Sequence, residues 1–425
     1  MNSEGNTAAT IAMSVALGVL AVLCRAGSRG GERPSELIAW LWSALLAANA
    51  IVFPSPGISH SALLLIGLSI AGFAIGHRFG EAAPTNALSE VNRAAPMLAG
   101  RLRIATALAS LAAAASCIAY LRGAGFGWYE LATDPLHSTL EASRYYTYSR
   151  YNDPAFSEPR DATFLCIGTY YGSATGGMLA SLAMRRRDWL ISAVPLVLAV
   201  ATMVILTTRA TTMFSAALWA AGYAAGRTWI SHGRWRLLSH RRIALAAVMV
   251  PVGLCIYLLM QALRRQSVAA TMDDDVFDMA ASAILGGPSA LSGWLAKQDL
   301  VGDGTRLCTG FARPLGFERA TIEPLPIGSL GAHANSNIVT LIGDAVVDVG
   351  QVGCPLVLAF LGAVAGAGWR MARCGRIIGI PLLTSALYVA FVSPIGSPLG
   401  YTVICAAIAV MFATFLYISR QAARR

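Results

Sequence analysis

Between its polar stretches this chain is built of apolar runs, many of which reach the roughly 20 residues that a helix needs to cross the hydrocarbon core of a bilayer. In order they fall near 8–24, 36–53, 58–76, 104–121, 162–184, 189–206, 210–226, 243–262, 338–369, 377–393 and 399–418, eleven in all. The runs are continuous rather than alternating, and backbone groups in lipid must be satisfied within the segment. The sequence therefore predicts an all-α, polytopic membrane helix bundle and not a β-barrel. The ninth run is too long for one span, so its first part, Ile338 to about Val347, is expected at the membrane face before the true span begins. With 56% hydrophobic and 13% charged residues and a mean hydropathy of +0.59, residues 1–425 read as a single membrane domain rather than several soluble ones.

The net charge of +10 would suggest a nucleic-acid partner in a soluble chain, but here the basic residues sit in blocks between the apolar runs, so they report topology and no nucleic acid is expected. Placing the N-terminus outside puts Arg25, Arg29 and Arg33 inside, then Arg78 to Arg103, Arg185 to Arg187, Arg227 to Arg242, Arg370 to Arg376 and Arg420 to Arg425. Eleven spans with N-out and C-in satisfy the positive-inside rule at every gap except the longest outer loop, and long loops translocate largely regardless of charge. The stretch before the first run carries Glu4 and no basic residue, so that run is expected to stay as a membrane helix rather than leave as a signal peptide. Two outer loops are substantial, 122–160 and 263–337. The inner arginines, including the segment RTWISHGRWR, read as contacts to lipid headgroups. Gly222 with Gly226, and Gly362 with Gly366, have the spacing that lets helices approach closely. The eight cysteines make neither a disulfide framework nor a zinc spacing, and no metal or cofactor is expected. The D-x-D pattern at Asp273 to Asp275 reads as a solvated helix start.

Reactive side chains concentrate in the second outer loop and the sequence that follows it, NSNIVTLIGDAVVDVGQVG. Arginine offers a permanently charged planar fork that grips phosphate bidentately, which suits a lipid-linked diphosphate at the membrane boundary. Arg209, in TTRATT at an outer turn, is the foremost candidate, followed by Arg264, Arg265, Arg306, Arg313 and Arg319; lipid snorkelling is the alternative for each. His333 has the side chain suited to taking a proton from a sugar hydroxyl near neutral pH, although a loop histidine commonly has no such role. Asp344 and Asp348 share a helix face, where ion pairing with Arg209 or a loop arginine is the preferred reading over a direct role with substrate. In the first outer loop, Tyr145, Tyr146 and Arg150 lie among other aromatics that fit either sugar rings or an interfacial belt.

The span count with one large outer loop in the second half, the motif TTRATTMFSAALW around Arg209, and NSNIVTLIGDAVVDVGQVGCPLVLAFLG together resemble the Wzy-type O-antigen polymerases, the oligosaccharide repeat-unit polymerase family. One pattern of some members is absent: the spacing R-x10-G, for which Arg319 and Gly331 stand one residue too far apart. The resemblance implies a metal-independent membrane glycosyltransferase of C-type architecture in the bacterial inner membrane. It would transfer a growing glycan from a polyprenyl diphosphate onto a lipid-linked repeat unit at the periplasmic face. In that reading Arg209 with Arg264, Arg265 or Arg319 holds the diphosphate, His333 or a carboxylate deprotonates the acceptor, and the tyrosine loop grips the saccharide. Partners would be the polyprenyl-diphosphate-linked oligosaccharide and membrane lipid, with a chain-length regulator and a flippase. The alternatives are an O-antigen ligase, whose histidine–asparagine pair is here interrupted by Ala334, and a polysaccharide flippase or transporter, which would want ionisable residues in mid-span.

Overall fold

The structure, a computed structural model, describes residues 3–26, 33–53, 58–82, 91–153, 156–183, 185–234, 276–295, 306–316, 328–329, 335–336, 340–394, 396 and 398–423. Its regular structure among these residues is helical apart from a two-residue antiparallel ladder, β1 (Gly328–Ser329) with β2 (Asn335–Ser336). Ten of the expected runs are helical, and the eighth, 243–262, lies outside the described residues. Among the described residues seven helices are long and apolar enough to cross a membrane. They are α1 (Ser3–Ala26), α2 (Pro34–Val52), α3 (His60–Ala82), α4 (Val91–Gly123), α9 (Arg186–Leu206), α13 (Leu341–Arg373) and α15 (Thr402–Ala423). The other three runs form shorter or more polar helices: α7 (Arg160–Leu165) with α8 (Ile167–Leu182), α10 (Arg209–Ile230) and α14 (Gly379–Val392). The molecule is a helical membrane bundle.

Two compact units share the chain. The first comprises Met1–Val91, Thr228–Leu237 and Phe277–Cys405. Its centre is the pairing of α3 with the second half of α13, where glycines bring the backbones together. A Cβ added at Gly72 would lie 2.6 Å from the Pro355 carbonyl oxygen, and one at Gly76 or Gly80 would overlap the carbonyl of Ala359 or Ala363. From the other side Gly362 and Gly366 face the carbonyls of Phe73 and His77, so the expected small-residue pair is a packing device. The packed α1 and α2 exchange hydrogen bonds, Ser14 Oγ to Ser43 O and Ser43 Oγ to Ser14 O, each 2.8 Å.

The arginines at one end of this unit do more than reach headgroups. Arg33 is buried, donating through Nη2 to Glu81 Oε1 at 3.0 Å and through Nη1 to the Cys24 carbonyl at 2.9 Å, and Arg373 Nη1 meets the same Glu81 oxygen at 3.2 Å. For Arg33 the headgroup reading is corrected: the end of α1 leaves carbonyls without intrahelical partners, and a guanidinium satisfies one of them.

Two departures from the sequence reading shape the rest. The stretch read as a polar loop contains α11 (Val276–Leu295), a helix with Pro288 inside it. It is held to α2 by Asn49 Nδ2 donating to the Leu285 carbonyl at 2.9 Å, and the Ser59 N–H beyond α2 donates to Ser292 Oγ at 3.0 Å. The ninth run does break as expected, at Gly350, whose φ of 73° and ψ of 175° interrupt α13. The break is sharper than a boundary between a surface turn and a span. Cys354 Sγ lies 3.7 Å from the Ile342 carbonyl oxygen, whereas twelve residues of straight helix would separate them by about 18 Å. The first half therefore doubles back on the second, and Leu341 to Val347 are buried within the protein.

The second unit comprises Asn92–Arg227, Leu238–Val276 and Ala406–Arg425. Here the aromatic loop is folded: α5 (Trp128–Thr133) and α6 (Pro135–Asn152) follow α4 directly. Asp134 caps α6 by accepting from the His137 N–H at 3.1 Å, with Pro135 in the first helical position, where its missing N–H is no loss. One face of α6 buries Ala142 and Tyr146 against Cys117, Tyr120, Ala162, Ile205 and Leu206.

Candidate functional site

One polar constellation is the turn that carries the foremost arginine. Between α9 and α10 the chain reverses at Thr207, a non-glycine residue in the left-handed region at φ 53°. Such a conformation persists only where the surroundings over-determine it. They do: Thr207 Oγ1 lies 2.8 Å from Thr147 Oγ1 of α6, and the Leu206 carbonyl accepts from Arg150 Nη1 at 2.9 Å and from Thr207 Oγ1 at 2.7 Å. The other Arg150 nitrogen, Nη2, pairs with Glu158 Oε1 at 2.8 Å. After this clamp Arg209 begins α10, and Thr212 Oγ1 ties that helix back to the Ala199 carbonyl at 3.1 Å. The side chain of Arg209 lies outside the described residues.

The same helix α6 separates the tyrosines by role. Tyr146 is fully buried, donates its hydroxyl to the Tyr120 carbonyl at 2.7 Å and packs edge-on against Tyr120, Tyr145 and Phe156. Burial pushes its phenol well above the ordinary value, so it stays neutral. Tyr145 is 43% exposed, and with Tyr148 and Tyr129 offers open aromatic surface beside the clamp. Arg150, expected to touch substrate, is committed to Glu158 and Leu206. Glu158, Thr147 and Thr207 were not singled out in the sequence, and only the polar run TTRATT at a helix boundary hints at them.

In the other unit the structure brings together Arg306, Asp344 and Asp348. Arg306 Nε meets Asp344 Oδ1 at 2.8 Å with both side chains buried, and Asp348 accepts the backbone N–H groups of Arg306 at 3.0 Å and Leu307 at 2.6 Å. The two carboxylates do lie on one helix face, and the partner of Asp344 is a loop arginine, one of the two options the sequence left. The short helix α12 (Thr309–Ala312) follows, with the Gly310 N–H donating to the Leu399 carbonyl at 2.9 Å. The half-helix of α13 is capped by Thr340, whose hydroxyl accepts from the Gly343 N–H at 3.0 Å, and the Leu341 N–H bonds the Ser393 carbonyl at 3.0 Å. Arg306, Asp344 and Asp348 thus fasten a loop segment to the broken helix.

Arg264, Arg265, Arg319, His333 and the aspartates at 273–275 lie outside the described residues, as does the side chain of Arg313, which opens the 3₁₀ turn Arg313–Leu315. In sequence His333 falls between β1 and β2, among residues outside the described ones. Among the described residues no three His, Cys, Asp or Glu side chains gather as a metal site. The seven described cysteines are unbridged; Cys308 is exposed, and the Asp348 carboxylate beside it adds to desolvation in raising its thiol pKa. Comparison of the chain with family models, curated proteins and solved structures finds no match.

Proposed function

We propose that this chain is a polysaccharide repeat-unit polymerase, a membrane glycosyltransferase that moves a glycan from a polyprenyl diphosphate carrier onto a lipid-linked repeat unit. The observation that supports it most is the clamped turn at Thr207. A reaction whose charge builds on a departing diphosphate needs a cation held in place before the charge develops, and Arg209 begins its helix directly after a turn fixed by Arg150, Thr147 and Glu158. Exposed tyrosines on α6, next to the same clamp, suit the saccharide. In this reading Arg150 and Glu158 position the site, Arg209 stabilises the leaving group, and His333 takes the acceptor proton. Arg306, Asp344 and Asp348 serve the scaffold.

The reading includes eleven spans with N-out and C-in, and a site on the periplasmic face of a bacterial inner membrane. Cys308 tests the orientation, because the other six described cysteines are buried. A membrane-impermeant maleimide should label intact spheroplasts through Cys308, and labelling only after lysis would reverse the topology. The activity is tested by the glycan ladder on lipid-linked material from cells carrying wild type or Arg209→Ala. Single repeats in the variant, with protein still inserted, support the polymerase. A lipid-linked ladder that persists in cells lacking the protein but never reaches its final acceptor would instead identify a ligase.

A further inference from the structure

Helix α4 is long and apolar enough to cross a membrane, and it ends on Arg122 and Gly123, where a span leaves hydrocarbon for headgroups. A cleft of about 490 Å³ opens at this end, within the roughly 300–1,000 Å³ that small ligands fill. One side of it is a single face of α4 at helical spacing: Ala115, Ile118 and Ala119, then Arg122 one turn on. The other side comes from two later segments, with Trp128 at the start of α5 and Asp161 in the first turn of α7. The Arg122 guanidinium lies over the Trp128 ring, its carbon 5.0 Å from the centroid. Gly123 lets the later segment close in, since a Cβ there would meet Pro159 Cγ at 2.5 Å. Arg122 and Asp161 thus line one space, yet neither belongs to an ion pair among the described residues.

An unmatched cation and an unmatched anion beside an apolar wall describe a zwitterion with a hydrocarbon tail. The guanidinium is a bidentate ligand for phosphate, and a carboxylate only accepts, so a cationic N–H group is its best partner. Which ammonium fits is decided by the indole. Quaternary ammonium groups are held by aromatic cages, and here Trp128, the single aromatic residue lining the cleft, is already engaged by Arg122. A primary ammonium that donates to Asp161 is therefore favoured over a choline, while an anionic headgroup would set its negative charge against that carboxylate. We propose that this cleft binds a phosphoethanolamine lipid, with an acyl chain along Ala115, Ile118 and Ala119, the phosphate on Arg122 and the ammonium on Asp161. Leu111, exposed on the same helix, does not line it. Nothing in this site depends on the polymerase reading.

Photocrosslinking of the full chain reads the lipid class directly. Ile118→p-benzoylphenylalanine, inside the cleft, is compared with Leu111→p-benzoylphenylalanine, outside it. Each is placed in nanodiscs holding equal fractions of phosphatidylethanolamine, phosphatidylcholine and phosphatidylglycerol with identical acyl chains, and adducts are weighed by mass spectrometry. At position 118 phosphatidylethanolamine should exceed each of the others about fivefold, the factor that about 1 kcal/mol from an exposed ion pair supplies. At position 111 the adducts should follow the bulk mixture. Adding Asp161→Asn should erase the preference and Asp161→Glu should keep it, whereas Arg122→Ala should lower the adduct yield at position 118 alone. Monodisperse elution is required of every variant, so that a folding defect does not pass for a lost preference; the comparison of 118 with 111 needs neither charge variant. Bulk proportions at position 118, a preference for either other lipid, or a phosphatidylethanolamine preference that survives Asp161→Asn would overturn the site.

Discussion

Arg306 separates a scaffold role from a substrate role, and the structure sets the size of the effect. Its Nε and Asp344 Oδ1 are 2.8 Å apart with both side chains buried. Two unit charges about 4 Å apart attract by about 4 kcal/mol at an effective dielectric near 20, and most of that offsets the removal of both from water. Deleting one partner of such a pair strands the other charge, which typically costs about 3–5 kcal/mol, or roughly two to four decades in the unfolding equilibrium. Arg306→Ala is therefore expected to lower the thermal midpoint of the detergent-solubilised protein sharply, measured by fluorescence-detected size exclusion. The double variant Arg306→Met with Asp344→Leu replaces both charges by apolar volume and should recover most of the loss, because a buried pair and a hydrophobic replacement are close in energy. The decisive readout is the ladder in that double variant. A scaffold role predicts that polymer length returns with stability. Restored stability without polymer would mean that Arg306 touches substrate and would refute the argument, and an Arg306→Ala protein as stable as wild type would refute the clamp itself.

Other expectations follow from single contacts. Gly76→Ala should destabilise the first unit by about 1–3 kcal/mol, since its Cβ would overlap the Ala359 carbonyl, whereas Gly100→Ala, with nothing within 4 Å, should be neutral or gain up to about 1 kcal/mol of helix propensity; equal thermal midpoints would contradict the packing. Arg150→Lys should fail to restore the ladder lost in Arg150→Ala, because an ammonium cannot span Leu206 O and Glu158 as the planar fork does; full activity in the lysine variant would remove Arg150 from its positioning role. Tyr146 has a raised native pKa, so the folded state holds its proton more tightly than the unfolded chain and stability must fall as pH rises past the ordinary phenol value of 10.0. Tyr146→Phe should flatten that alkaline loss, and an unchanged pH profile would dismiss it. Labelling of Cys308 by maleimide at neutral pH should be slower than that of a free thiol and should accelerate in Asp348→Asn, as loss of the neighbouring carboxylate lowers its pKa; equal rates would mean that desolvation alone sets it.

The helices were legible because apolar runs of span length leave a backbone little choice. What the sequence hid has local causes. In α11 the string Gly286, Gly287, Pro288 reads as punctuation, and the carbonyl of Leu285 finds its partner on Asn49, far away in sequence. The aromatic loop concealed α6 because tyrosines and arginines obscure its periodicity, yet the Asp134–Pro135 start signal was present to be read. The arginines were visible as cations, and of their destinations only the pairing of Asp344 with a loop arginine was anticipated. Arg33, Arg150 and Arg306 each end on a carboxylate brought near by the fold, and nothing within ten residues of Arg306 names Asp344. Arg209 stood out through its setting, and the turn before it is braced by Thr147 and Arg150.

The reversal at Gly350 also bears on how the protein is made. Residues 338–369 leave the ribosome as one stretch that is too long for a single span and carries Asp344 and Asp348 in its first half, where lipid would hold them only at a cost. Part of what holds the first half against the protein comes from later sequence: the Leu341 N–H bonds the carbonyl of Ser393, and the segment after Arg306 is tied to the Leu399 carbonyl through Gly310. A nascent chain that ends before Ser393 lacks both anchors. A chain halted at that stage should therefore hold residues 341–347 less firmly than the finished molecule does, and protease accessibility of staged nascent chains would read the difference.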